Sequence, residues 1–329
     1  CSPGGGAVFE KPHSRIPPPL TFRTSPFILH PSHLISPSHC YHGPLASGGE
    51  KAKLFCPPPE ISPQRPAPTS GGRFQEYGLP TAIISDIHGN IDALNVVLAD
   101  IDRRGIERIV CLGDIIGYGP DPLLCLDLVI QRCEWSLMGN HDFAVLYEPT
   151  NFNASAATAC YWTRRQLEEE PHPGKRRKRF EYLNNLIVRR NGENALWVHA
   201  SPRRPINEYI FPDDVVTAPN KMQQIFDRVE RRCFVGHTHV PGVFTSEPDF
   251  YPPQDLDGVY KYIEGEKAVI NPGSVGQPRD RDPRASYAIM HDDSVEFVRL
   301  AYDIDAVIEK VRKVPELSDW LGSRLLEGR

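Results

Sequence analysis

From Thr81 onward the chain alternates short apolar runs with longer segments whose apolar positions recur every three or four residues. The runs Ala82-Ile83-Ile84, Ile109-Val110-Cys111-Leu112, Trp135-Ser136-Leu137-Met138, Ala195-Leu196-Trp197-Val198 and Cys233-Phe234-Val235 are bounded by Gly and polar residues, so they predict buried strands. Between the first three, Leu94, Val97, Leu98 and Ile101 stand at helical spacing, as do Leu123, Leu124, Leu126, Val129 and Ile130. Strand, helix, strand is a βαβ series with a parallel sheet. After residue 150, Asn153-Ala154-Ser155 leads into a helix through Leu167, followed by a turn from Pro171 to Arg179 and a helix near Phe180 to Leu186. These elements form an insertion at about 150–190, expected to cap the site. Further strands are predicted near Val243, Val259, Val269, Tyr287 and Val295, with hairpin turns at Glu264-Gly265 and Asp292-Asp293, and this later part is expected to make the second sheet. Ala306, Val307, Ile308 and Val311 predict a terminal helix, and no internal repeat is present. The expected fold is α/β: two mixed β-sheets packed face to face as a sandwich flanked by helices, one domain from about 80 to 329.

Five polar segments follow the five predicted strands directly: Asp86-Ile87-His88, Gly113-Asp114, Gly139-Asn140-His141-Asp142, Val198-His199-Ala200-Ser201 and Gly236-His237-Thr238-His239. In open α/β sheets ligands collect beyond the carboxyl ends of strands, where each of these segments lies. A lone Gly-Asp or His is uninformative, but the ordered set supplies enough Asp, Asn and His side chains for two divalent ions. The donors are carboxylate, amide oxygen and imidazole with no thiolate, a mixture suited to Mn²⁺ or Fe and also to Zn²⁺ or Ni²⁺. A shared carboxylate can bridge two ions about 3.5–4 Å apart, and a water between them becomes a hydroxide near neutral pH. Hydrolysis is the natural use of such a pair.

In order and spelling these segments resemble the calcineurin-like metallophosphoesterase superfamily, whose pattern is D-x-H, G-D, G-N-H-[DE], H, then G-H-x-H. The likeness runs from about Thr81 to Tyr302 and implies a four-layer fold of two sheets and flanking helices. It implies that Asp86, His88, Asp114 and His239 hold one metal, and that Asp114, Asn140, His199 and His237 hold the other. His141 would face the scissile phosphate, stabilising the transition state or protonating the leaving oxygen, while Asp142 would orient nearby groups. Gly113-Asp114-Ile115-Ile116-Gly117-Tyr118-Gly119-Pro120, His199-Ala200-Ser201-Pro202 and Asn271-Pro272-Gly273-Ser274-Val275-Gly276 look like the compact prokaryotic phosphoesterases. Eukaryotic Ser/Thr phosphatases carry G-D-x-V-D-R-G, and here Gly117 and Tyr118 replace its second Asp and its Arg. The implied enzyme is a metal-dependent hydrolase of a phosphomonoester, a phosphodiester or a dinucleoside polyphosphate, using a metal-bridged hydroxide. A protein Ser/Thr phosphatase and a non-catalytic binding scaffold of the same fold are the alternatives.

Each feature also has a plainer use. Asp86 could cap the helix starting near Asn90, His237 and His239 could belong to an exposed turn before Pro241, and His199 could be a satisfied core histidine. Asn271-Pro272-Gly273-Ser274 reads either as a turn or as a close backbone approach beside the metals, and neither needs Ser274 as a nucleophile. Lys175-Arg176-Arg177-Lys178-Arg179 is expected to be a solvated loop or helix face. Tyr118, Trp162, Arg164, Arg165, Arg203, Arg204 and Tyr209 are candidates for a rim that grips a nucleotide or polyphosphate.

Composition narrows the partners. Of the 33 prolines among 329 residues, sixteen precede Thr81, so residues 1–79 are expected to be a disordered Pro/Ser/His-rich tail. The chain starts at Cys1, which marks this tail as either processed or an upstream extension of the frame. His13, His30, His33, His39 and His42 are too irregularly spaced to define a metal site there. A formal charge of -5 argues against extended nucleic acid, so the expected partner is a small phosphorylated substrate, with oligomeric state open. No 18-residue apolar run and no signal-like start occur, which points away from membranes and to the cytoplasm. The eight cysteines are scattered without C-x-x-C and fit a reduced environment, Cys111 and Cys233 as strand hydrophobes and Cys125, Cys133 and Cys160 elsewhere in the domain.

Overall fold

A computed structural model describes residues 78–192 and 194–329. The tail expected over 1–79, with its histidines and Cys1, Cys40 and Cys56, lies outside the described residues except for Gly78 and Leu79. The strands are β1 (Thr81–Ile84), β2 (Arg108–Cys111), β3 (Trp135–Ser136), β4 (Arg189–Gly192), β5 (Ala195–Val198), β6 (Arg232–Phe234), β7 (Gly242–Thr245), β8 (Asp249–Tyr251), β9 (Val259–Lys261), β10 (Ala268–Asn271), β11 (Ala285–Met290) and β12 (Ser294–Leu300). The helices are α1 (Ile91–Arg103), α2 (Pro122–Arg132), α3 (Asn140–Leu146), α4 (Ala154–Glu168), α5 (Pro173–Asn184), α6 (Asp214–Thr217), α7 (Pro219–Phe226), α8 (Ile304–Arg312) and α9 (Asp319–Ser323).

Two six-stranded mixed sheets result, in the orders β3-β2-β1-β11-β12-β9 and β4-β5-β6-β10-β7-β8. The side-chain period of two explains why the central strands read as unbroken apolar runs. On β1, Ile83 points into a cluster with Trp197, Phe234, Val243 and Ile270 of the other sheet, while Ala82 and Ile84 join Leu94, Val97 and Ile101 of α1. On β5, Trp197 faces the inner layer, while Leu196 and Val198 face Met222 and Ile225 of α7. Both faces of these strands are buried, so alternation is suppressed. Each fully buried aliphatic side chain contributes about 1.5–3 kcal/mol, and the layers are helix, sheet, sheet, helix.

Three expectations need correction. The later strands do not form a separate second sheet: β11, β12 and β9 extend the first sheet, with Ile83 opposite Ala288, because β1 has a free side for an antiparallel neighbour. The Glu264-Gly265 turn therefore links β9 to β10 across the two sheets and is not a hairpin, whereas Asp292-Asp293 does join the paired strands β11 and β12. The stretch Pro171 to Arg179 is not a turn throughout. Pro173 takes the first helical position and Lys and Arg are good helix formers, so α5 starts there and carries the basic run. Its Arg179 is buried and paired with Asp127 and Glu170, while Lys175, Arg176, Arg177 and Lys178 are exposed. The polar strand β4 gave no apolar signal and is defined only by its pairing with β5.

Asn90, not Asp86, caps α1, accepting from Ala93 N at 3.1 Å. This leaves Asp86 for the site. Among the described residues, no helix is long and apolar enough to cross a membrane, and the five described cysteines are free thiols.

Candidate metal centre

The ligand candidates sit where β1, β2, β5 and β6 end and where α3 begins. Asp86, His88, Asp114, His237 and His239 all have φ between 50° and 62°. Asp and His tolerate this left-handed region better than most side chains, though each such residue still costs about 1–3 kcal/mol. Backbone pairing holds the bends in place. Asp86 N donates to Gly113 O (3.0 Å), His88 N to Asp114 O (2.9 Å), Gly89 N to Ile115 O (3.0 Å) and Gly236 N to His199 O (2.7 Å). His237 N donates to both Asp86 oxygens at 3.1 Å.

Two groups of donors converge. Asp86, His88, Asp114 and His239 offer atoms within 4.8 Å of one another, as do Asp114, His199 and His237, and all are buried. Asp114 belongs to both. His88 Nε2 lies 3.1 Å from His239 Nε2 and 3.6 Å from Asp114 Oδ2, and His239 Nε2 lies 3.3 Å from Asp86 Oδ1. In the second group His199 Nε2 is 3.4 Å from Asp114 Oδ2 and 3.2 Å from Asn140 Oδ1. Donors each about 2.0–2.2 Å from a shared ion stand about 3.0–4.4 Å apart, so these spacings fit the edges of a coordination shell. His199 Nδ1 lies 2.9 Å from Leu112 O and His239 Nδ1 lies 2.6 Å from Gln277 O. Each therefore donates from Nδ1 and turns Nε2 inward as a ligand atom. His237 Nε2 and His88 Nδ1 are buried without a hydrogen-bond partner.

The electrostatics suit ligation at three of the four histidines. Burial, with the charge of His199 second, holds His237 down to about 3, and burial foremost keeps His88 and His239 below the ordinary imidazole range. Neutral imidazole is the form that ligates. Burial also opposes charge on His199, but the carboxylate of Asp114 prevails and raises it to about 9. Burial would raise Asp114 too, and the surrounding histidines, His199 first, hold it well below the usual carboxylate range instead.

His141 and Asp142 part company. The His141 amide donates to Asp114 Oδ1 at 2.8 Å, and its ring lies 4.2 Å from Tyr118 and 4.7 Å from both His88 and Phe152. It lines a cavity of about 770 Å³ together with Asn140, Phe152, Arg204, Tyr209 and His237. Burial lowers it to about 4 against the pull of Asp114. Asp142 is fully buried, and its oxygens accept from Asp114 N (2.8 Å), Ile115 N (3.0 Å), Ile116 N (3.3 Å) and Gly139 N (3.1 Å). Burial and then the Asp114 charge push it up to about 7. With its oxygens engaged by four amides, Asp142 ties the Asp114 loop to α3, in keeping with the orienting role the resemblance implies.

Residues 79–294 match the family model of the calcineurin-like phosphoesterase superfamily domain. The chain belongs to this superfamily. The calcineurin-like phosphoesterase described above is 41% identical over 257 residues to the uncharacterized protein MJ0912 of Methanocaldococcus jannaschii, covering 75% of this chain and 98% of that one. A crystal structure of a metallophosphoesterase from Sphaerobacter thermophilus is 37% identical, with a TM-score of 0.64, and covers 76% of this chain and 99% of its own. The hypothetical protein PH1004 of Pyrococcus horikoshii, at 19% identity and a TM-score of 0.59, shares the fold over 76% of this chain and 98% of that one. The family is one of metal-dependent phosphoester hydrolases, and the buried Asp and His groups can bind metal.

Within this calcineurin-like phosphoesterase, Gly117 has φ 87°, and a Cβ there would stand 2.6 Å from His141 Nδ1. No carboxylate can grow from position 117 on this backbone. Cys160 Sγ from α4 instead lies 3.6 Å from that nitrogen. The Asn271-to-Gly276 segment is a close approach, since a Cβ at Gly276 would meet Ile87 O at 1.8 Å. Ser274 Oγ donates to Asp86 O (2.8 Å) and supports the ligand loop.

Of the rim candidates, Tyr118, Arg204 and Tyr209 border the cavity. Trp162 is buried against the C-terminal helices, Arg164 bonds the carbonyls of Val145 (2.6 Å) and Tyr147, Arg165 pairs with Glu316 and Arg203 with Glu208 (3.3 Å). Phe143, Phe152, Asn153, Val188 and Asn207 line the cavity without having been singled out, because nothing in their spacing distinguishes them from surface residues. The α4 end of the insertion borders the cavity through Asn153 and Ala156, while α5 is tied to α2 through Arg179 and Asp127.

Proposed function

We propose that this chain hydrolyses the phosphoester or phosphoanhydride bond of a small molecule with the help of two divalent ions. The observation that carries this reading is the sharing of Asp114 between two buried donor groups at a cavity that also exposes His141. Asp86, His88, Asp114 and His239 would hold one ion, and Asp114, Asn140, His199 and His237 the other. Bound there, the ions would neutralise phosphoryl charge and make water acidic enough to react near neutral pH. The donor set favours Mn²⁺ or Fe, with Zn²⁺ and Ni²⁺ also compatible.

The remaining work belongs to the protein. His141 stands in the cavity wall, where its ring can donate a hydrogen bond or a proton to the leaving oxygen. Asp142 fixes the Asp114 loop, and Asn140 starts α3 beside His199. A volume of about 770 Å³ falls within the range of roughly 300–1,000 Å³ common for small-molecule sites. Tyr209 and Phe152 offer aromatic faces and Arg204 a guanidinium, which together favour a nucleotide-like phosphomonoester, phosphodiester or dinucleoside polyphosphate over a phosphoprotein.

The test is a panel of an aryl monophosphate, a bis-aryl phosphate, a dinucleoside tetraphosphate and a phosphopeptide, each with Mn²⁺, Fe²⁺, Zn²⁺ or Ni²⁺ loaded. Turnover of at least one small substrate, abolished by chelation, is expected. Turnover of the phosphopeptide alone would reverse the substrate ranking, and no turnover with any metal would leave a binding scaffold.

A further inference from the structure

Arg279, whose backbone meets the donor cluster, lacks an acidic partner among the described residues. The backbone N of Arg279 donates to His239 O at 3.2 Å, and its guanidinium carbon lies 5.9 Å from the Tyr118 ring centroid. That ring is itself 4.9 Å from His88 and 4.2 Å from His141. The Arg279 side chain bonds Gln277 Oε1 at 2.7 Å, while its Nε is buried with no partner. Arg324 follows α9, and its guanidinium is engaged within the C-terminal segment, its carbon 4.2 Å over the Trp320 ring and its Nε donating to Arg329 O.

The acids closest to Arg279 in sequence are engaged elsewhere, Asp280 with Arg299 and Asp282 with Arg284 (2.6 Å). Arg279 opposes positive charge on His88, His141 and His239. A fixed cation beside two cation sites disfavours the ions when they are alone. It becomes favourable once an oxyanion lies among them, because the anion is then attracted from several sides and the guanidinium N–H groups gain charge-assisted hydrogen bonds.

We propose that Arg279 binds the phosphoryl oxygens of the substrate held at the metal cluster. This rests on the phosphoesterase reading and adds a phosphate anchor contributed by the protein itself. The loop after β10, within the part matched by the family model, supplies Arg279.

The probe is inorganic phosphate, titrated calorimetrically into metal-loaded protein and used in parallel as an inhibitor of aryl phosphate hydrolysis. Arg279→Gln is expected to weaken phosphate binding by about 10- to 100-fold with bound metal unchanged, as expected for lost hydrogen bonds to a charged group. Arg279→Lys should recover part of the loss. Arg165→Gln, which breaks a surface pair with Glu316, serves as the control.

A loss below about fivefold in Arg279→Gln at full metal content would overturn the proposal. Should that variant fail to fold or lose metal, Arg279→Met, which keeps the length of the side chain without its charge, decides by the same boundary. Phosphate binding that depends on Arg279 in a protein without turnover would defeat the phosphoesterase reading alone. Turnover with phosphate binding insensitive to Arg279 would defeat this proposal alone.

Discussion

The floor of the cavity and its rim are built by opposite rules. On the floor, Asp86, His88, Asp114, His199, His237 and His239 are almost completely buried, and main-chain hydrogen bonds fix the loops that carry them. On the rim, Phe143 and Tyr209 keep 40% and 39% of their surface exposed, and Arg204 is exposed with no carboxylate partner among the described residues. A buried donor must be satisfied by neighbours of defined chemistry, so few residue types are allowed on the floor. A rim side chain bordered by water has many acceptable replacements. The floor therefore specifies the reaction, and the rim specifies what the reaction is performed on.

Substitutions should separate the two regions by size and kind of effect. The largest belongs to Asp114, which both donor groups share. Asp114→Asn removes the charge that balances the histidines, and a cost of about 3–5 kcal/mol translates to about 10²- to 10⁴-fold in metal affinity, with turnover lost in parallel. Metal analysis by mass spectrometry checks this, and a variant that retains both ions would contradict the shared role. Next comes His141→Ala, for which turnover should fall by about 10²- to 10⁴-fold at unchanged metal content. Equal falls in bound metal and rate would instead make His141 a support for the ligands.

Asp142 should report on stability first. Asp142→Ala leaves four backbone amides without their acceptor, and at about 1–3 kcal/mol per stranded group the melting temperature should fall by roughly 5–15 °C after partial hydration. Asp142→Asn keeps one oxygen and should fall between alanine and wild type; indistinguishable melting of all three would refute the positioning role. The smallest effect is expected on the rim. Arg204→Ala should raise KM by up to about tenfold, with kcat nearly unchanged and melting within about 0.5 kcal/mol of wild type, measured by steady-state kinetics and calorimetry.

The same contrast governs what the sequence discloses. The seven metal-ligand candidates and His141 could be read directly, because metal chemistry admits few side chains and each donor follows a strand whose two buried faces leave an apolar run. For Asp142 the resemblance implies an orienting role, but which groups it holds is not legible, since its four donors are main-chain amides without a sequence signature. The strand β4 is polar and exists through pairing alone, and the destination of β9 depended on which strand edge was free. Arg279 was overlooked for a similar reason: its distinction is the absence of an acid nearby, a property of packing. Arg164 and Arg203 looked equally suited to a phosphate and are occupied by carbonyls and Glu208.

Anomalous diffraction from crystals of the Mn²⁺-loaded protein tests the central claim most directly. Two peaks are expected on either side of Asp114, one against Asp86, His88 and His239 and one against Asn140, His199 and His237, separated by about 3.5–4 Å. Peaks elsewhere, or none at Asp114 at saturating metal, would contradict the account.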